Sequence, residues 1–135
     1  MKYINDYAHY PAYRNTESHY YKSGEECYPV LLSELQKAKH FIFMEYFIIH
    51  EGKMWNDILE ILERKVKEGV EVRVLYDDIG SLTTVPYKYD EVLKKKGIKC
   101  QVFNRLAPVL NIILNNRDHR KITVIDGFVG FMGGI

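Results

Sequence analysis

Apolar side chains first fall into a helical rhythm at Val30, Leu31, Leu35 and Ala38, spaced three to four apart. That spacing predicts an amphipathic helix from Glu25 to the basic residues 37–39, where cations suit a helix C-terminus. Residues 40–49 follow, short, aromatic and β-branched, and apolar on both alternating faces except at Glu45. This is the pattern of a central strand covered on each side. Trp55, Ile58, Leu59, Leu62 and Val66 then trace a second helix closed by Gly69, and residues 70–76 read as a second strand ending at Asp77 and Asp78. Tyr89, Val92 and Leu93 lie on a lysine-rich helix stopped by Gly97, and residues 98–103 form a third strand.

Helix and strand in alternation predict an α/β fold: a mixed, mostly parallel sheet with right-handed crossovers and helices on both faces. Residues 121–125, the Asp126-Gly127 turn signal and residues 128–132 predict an antiparallel hairpin that closes the sheet. Residues 1–24, rich in Tyr, Asn, His and Ser without a sustained period, read as an irregular N-terminal arm, which leaves 25–135 as the domain proper.

Composition narrows the classes. At 135 residues the chain is one domain or a piece of one. Its 47% apolar and 27% charged content excludes collagen-like and disordered chains. Nineteen basic against 18 acidic residues leave a net charge of +1, too little for a protein that coats nucleic acid. Cys27 and Cys100 stand far apart with no metal-ligand spacing, so they read as reduced core thiols, and no metal site is indicated. The longest apolar runs, 41–49 and 106–114, fall far short of the roughly 20 residues of a spanning helix, and no signal peptide opens the chain.

The candidate chemistry lies in residues 115–121. His9, His19, His40 and His50 have no partner at a recognisable spacing, whereas His119 stands among three cations at the start of an apolar strand. His119 and Lys121 are two apart and share a face on a strand. An imidazole nucleophile beside a fixed ammonium suits displacement at a phosphodiester: the ring attacks phosphorus and the cation neutralises the non-bridging oxygens.

The pattern His119-x-Lys121-x-x-x-x-Asp126, with Gly133-Gly134 beyond it, resembles the phospholipase D superfamily and its His-Lys-Asp signature. The stretches at 38–47, 69–80 and 116–127 narrow the likeness to bacterial cardiolipin synthases, from about residue 15 to the end. The resemblance implies a phospholipase D-like domain and the N-terminal half of an enzyme in which two such motifs face one another. It implies His119, Lys121 and Asp126 as catalytic residues, Glu45, Arg120, Gly133 and Gly134 as substrate-binding residues, and no cofactor. It also implies a phosphatidylglycerol or other anionic phospholipid substrate, and a location at the bacterial cell membrane for the parent protein, with the fragment itself soluble.

Some residues keep two readings. Asp126 stands an odd offset from His119 and so faces away from it on a regular strand, which favours fixing the turn over direct chemistry. Glu45 either serves the substrate near a strand's carboxyl end or forms a buried ion pair. Asp77 and Asp78, at a strand exit, are either functional or simply solvated. The run at 106–114 either meets a bilayer or packs inside or against a second half.

The leading functional expectation is a phosphatidyltransferase: two phosphatidylglycerols become cardiolipin and glycerol through a phosphohistidine, with a second phospholipase D-like half or a homodimer mate as partner. No nucleic-acid partner is expected. The alternatives are a homodimeric phospholipase D-type nuclease and a non-catalytic phosphate-binding fragment.

Overall fold

A computed structural model of the chain describes residues 3, 6–7, 15–105 and 116–133. Helix α1 (Gly24–Lys37) begins where Ser23 Oγ accepts the Glu26 N–H and the Glu26 carboxylate accepts the Lys22 N–H. These bonds satisfy donors that a helix start leaves open. Strand β1 (Phe41–Tyr46) leads to α2 (Lys53–Lys67), β2 (Glu71–Asp77), the single turn α3 (Asp78–Ser81), α4 (Tyr89–Lys95) and β3 (Lys99–Phe103). The chain then returns through β4 (Lys121–Ile125) and β5 (Val129–Met132).

The sheet order is β3-β2-β1-β4-β5. β1 runs parallel to β2, and β2 to β3, while β4 is antiparallel to both β1 and β5. The α/β class holds, with two departures from expectation. Parallel and antiparallel pairings are balanced rather than mostly parallel, because β4 pairs with β1 as well as with its hairpin partner. Among the described residues the helices cover one face of the sheet, not both. The reason is topological: β1, β2 and β3 advance in one direction, so successive right-handed crossovers deposit α2 and α4 on the same side.

That side is the core. Ile42, Met44, Val72, Val74, Cys100 and Ile125 point into it against Leu31, Leu35, Ile58, Leu62 and Leu93. Each fully buried aliphatic side chain contributes about 1.5–3 kcal/mol. Trp55 Nε1 donates to Tyr89 Oη at 2.7 Å and ties α2 to α4. Both cysteines are buried and unpaired, and burial pushes the Cys100 thiol up to about 12, as inert core thiols require. The alternate residues, including Phe43, Glu45, Leu75, Ile122 and Val124, line an open trough of about 790 Å³ on the other face.

The hairpin turn forms as its sequence predicts. Asp126 (φ 51°) and Gly127 (φ 74°) both adopt the left-handed conformation that suits this turn, and the Phe128 N–H bonds the Ile125 carbonyl. No described helix is long and apolar enough to cross a membrane.

Candidate active site

The chain exits β1 and β2 at the same end of the sheet, and the segments that follow the two strands are stitched together there. Ser81, fully buried, takes the Ile49 N–H at 3.0 Å and donates to the Phe47 carbonyl at 3.5 Å; the Glu51 N–H bonds the Thr84 carbonyl. Phe47 is thereby fixed just beyond the carboxyl end of the central strand.

His119 lies on Phe47, ring centroids 4.1 Å apart and planes 24° from parallel. Lys121 Nζ stands 5.2 Å from the centroid of the same ring and donates to the His119 carbonyl at 2.6 Å. The ring quadrupole attracts that cation and the backbone oxygen directs it. The imidazole itself is exposed, and no described residue hydrogen-bonds it. Gly133 joins the group across the ladder, its N–H bonded to the Lys121 carbonyl at a φ of 152° that L side chains rarely adopt. Gly134 lies outside the described residues, as does the apolar run 106–114.

The segment carrying His119 is anchored on both sides. Asp77, wholly buried at the end of β2, accepts the Gly80 N–H at 3.0 Å, the Asp118 N–H at 3.1 Å and Arg117 Nη1 at 3.4 Å. Glu45 and Arg120 meet on the sheet's open side, Nη2 to Oε1 at 2.6 Å, and Arg120 Nε reaches Asp118 Oδ1 at 3.0 Å. Arg120 therefore bridges the carboxyl groups of Glu45 and Asp118, on the opposite side of β1 and β4 from Tyr46 and Lys121. Glu45 thus meets Arg120 at the segment that carries His119.

Asp126 does not join His119 and Lys121. It follows the far end of β4, a strand of roughly 15 Å away, and its carboxylate accepts the backbone N–H groups of Lys39, His40 and Phe41, each at 2.8 Å. Burial works to raise its pKa, but those three donors outweigh it and hold the carboxyl below the usual range. Asp126 thus clamps the backbone at the start of β1, in keeping with the reading that favours fixing the turn. Asp77 likewise spends its oxygens on structure, and Asp78 opens α3.

Phe47 and Asp118 escaped the sequence reading as site residues. Phe47 reads there as one more apolar residue of a strand, and Asp118 as one more charge in a polar run. Among the described residues no cluster of three His, Cys, Asp or Glu side chains could hold a metal ion.

A mixed sheet presenting a histidine and a lysine from the entry to an antiparallel strand defines a phospholipase D-like domain. The solved structure of Nuc from Salmonella typhimurium, a phospholipase D family member, superposes with a TM-score of 0.53 at 20% identity, over 77% of this chain and 60% of that one. The sequence model described as "Cardiolipin synthase, PLD-like domain" matches residues 31–135, and the chain belongs to that family. Cardiolipin synthase 2 of Bacillus cereus is 43% identical over 121 residues, covering 89% of this chain and 23% of the relative. An uncharacterized protein of Streptococcus mutans is 48% identical over 134 residues, covering 99% of this chain and 29% of the relative. The chain thus spans about a quarter of the length of these relatives.

Proposed function

We propose that the chain supplies one histidine–lysine pair of a phosphatidyltransferase that converts two phosphatidylglycerols into cardiolipin and glycerol. The observation that carries this reading is the convergence of His119 and Lys121 on the Phe47 ring, beside the carboxyl end of the central strand. There an exposed imidazole has a cation near it to meet a phosphodiester's negative oxygens.

In this mechanism one motif histidine attacks phosphorus, a nitrogen–phosphorus bond forms and the bond to the glycerol headgroup breaks. The departing oxygen takes a proton from a general acid, the role of the second histidine. A hydroxyl of another phosphatidylglycerol then loses its proton to that group, attacks the phosphohistidine and restores the imidazole. One phosphodiester replaces another, so the exchange needs no nucleotide. Lys121 neutralises the non-bridging oxygens in both steps. The second histidine comes from a second phospholipase D-like half of a longer parent chain or from a mate, and the substrate is met at a membrane surface. Glu45 and Arg120 serve the site by holding its backbone, and Gly133 adopts the φ of 152° at which its N–H meets the Lys121 carbonyl.

The test is incubation of the protein, in the length of its cardiolipin synthase relatives, with phosphatidylglycerol vesicles, with His119→Ala beside it and lipids read by mass spectrometry. Cardiolipin and glycerol from the unmodified protein alone support the reading. No lipid product, with cleavage of a DNA phosphodiester instead, replaces it with a nuclease.

A further inference from the structure

Between β1 and the segment before β4 lie two oxygens whose surroundings do not match a pair of ordinary ionised carboxylates. Glu45 Oε1 and Asp118 Oδ2 are both shut off from solvent without a well-formed hydrogen bond from any donor among the described residues, although Arg120 Nη2 lies 2.6 Å from the former. The Asp118 side chain is only 3% exposed and that of Glu45 22%. Arg120 touches both groups, through Nη2 to Glu45 and through Nε and its backbone N–H to Asp118 Oδ1. One guanidinium cannot neutralise two carboxylates, and two acceptors brought together repel unless a proton lies between them.

We propose that Glu45 is a positioning residue: it retains a proton that it shares with Asp118, and this carboxylic acid–carboxylate pair, bridged by Arg120, fastens the backbone on both sides of His119 to the central strand. The proposal rests on the reading of His119 as the reacting group only for its catalytic consequence. The pair itself is a property of the fold.

The charge environment agrees. Burial, and then the hydrogen bond and charge of Asp118, push the Glu45 carboxyl above its ordinary range against the pull of Arg120. Burial also works to raise Asp118, but the hydrogen bonds from Glu45 and Arg120 outweigh it and hold that group low. The neighbours of Glu45 across the sheet are apolar, Leu75 on β2 and Ile122 on β4. Farther along the trough stand the cations Arg73, Lys94 and Lys99. Asp77 fixes Asp118 from the other side through its backbone N–H. The proton therefore sits on Glu45 and the negative charge on Asp118, where Arg120 can offset it. Deprotonating Glu45 at higher pH would set two negative charges against each other at the segment that carries His119.

The test is carboxyl-carbon NMR titration of the full 135-residue chain, with backbone amides followed alongside. Glu45 is expected to titrate above the ordinary Glu range, and the amides of His119 and Arg120 to shift at the same midpoint. Asp118→Asn should return Glu45 towards the ordinary range. Glu45→Gln, which keeps a donor, should preserve the low-pH amide positions and abolish the transition, whereas Glu45→Ala should displace them at every pH. Glu45 titrating in the ordinary range, or Glu45→Gln displacing the amides as far as Glu45→Ala, overturns the proposal. His119→Ala should leave the Glu45 titration in place, so a failure of the transferase reading is told apart from a failure of this one.

Discussion

Phe47 lies against His119, their rings 4.1 Å apart, and the backbone of Phe47 is itself held by Ser81 at the end of α3. The position of the imidazole thus depends on a contact between the exits of two strands and not on its own strand alone.

Replacing Phe47 with Leu should keep most of the apolar bulk and lose the stack. We expect a stability loss of about 1 kcal/mol and a fall in phosphatidyl transfer of roughly ten- to a hundredfold from misplacement of the imidazole. Thermal melts beside a lipid-product assay check both, and unchanged turnover would remove Phe47 from the site.

Gly80 reaches the same ring from below. A Cβ there would collide with the Phe47 carbonyl oxygen and stand 2.9 Å from its ring carbons, so Gly80→Ala must displace Phe47. The expected outcome is altered His119 ring resonances together with lower transfer, while chemical shifts in α1 stay as they were.

Lys121→Met should leave the fold within about 1 kcal/mol of the parent, because the side chain is a partly exposed cation without a carboxylate partner among the described residues. The loss in kcat/KM should be on the order of a hundredfold or more, the usual cost of removing a group that neutralises transition-state charge. Denaturant titration and steady-state kinetics on phosphatidylglycerol vesicles measure the two sides.

Asp126→Asn keeps a residue that tolerates the left-handed turn but replaces one acceptor oxygen with a donor facing a backbone N–H. The expected destabilisation at pH 7 is about 2–4 kcal/mol. Since folding lowers this carboxyl's pKa, its contribution is present above the unfolded value of about 3.9 and lost as pH falls through the folded one. Urea unfolding of both proteins at pH 7 and below pH 3 should show the difference shrinking in acid; a difference that persists there would assign the cost to the turn alone.

Asp77→Ala strips three donors of their shared acceptor and leaves the guanidinium of Arg117, 8% exposed, without this carboxylate. A loss of about 3–5 kcal/mol is expected. A drop in melting temperature together with collapse of the amide shifts at 117–120 would show it, whereas an unshifted melt would contradict this account of the anchor.

What could be read from the chain follows from the range of each signal. Val72, Val74 and Tyr76 declare a buried face through their period of two, and Asp126-Gly127 names its own turn. His119 and Lys121 fall on one ring because their offset is local. The pairing of β4 with β1 depends instead on Ile125 finding Ile42, which no nearby residue encodes. The apolar run at 40–49 implies a strand covered on both faces, yet its outward residues Phe43 and Glu45 line the open trough. Glu45 read as an anomaly because Asp118 and Arg120, which answer it, arrive from the other end of the sequence.

The clamp of Asp126 on the first residues of β1 also has a kinetic consequence. The β4–β5 hairpin is local and can form in about 1–10 μs, and the first two crossovers need only their own intervening helices. Docking β4 against β1 must instead close almost the whole domain, and such non-local pairing slows folding. The three N–H groups at the start of β1 wait for Asp126 until that last closure, so the slow step of folding and the assembly of His119 beside Phe47 are the same event.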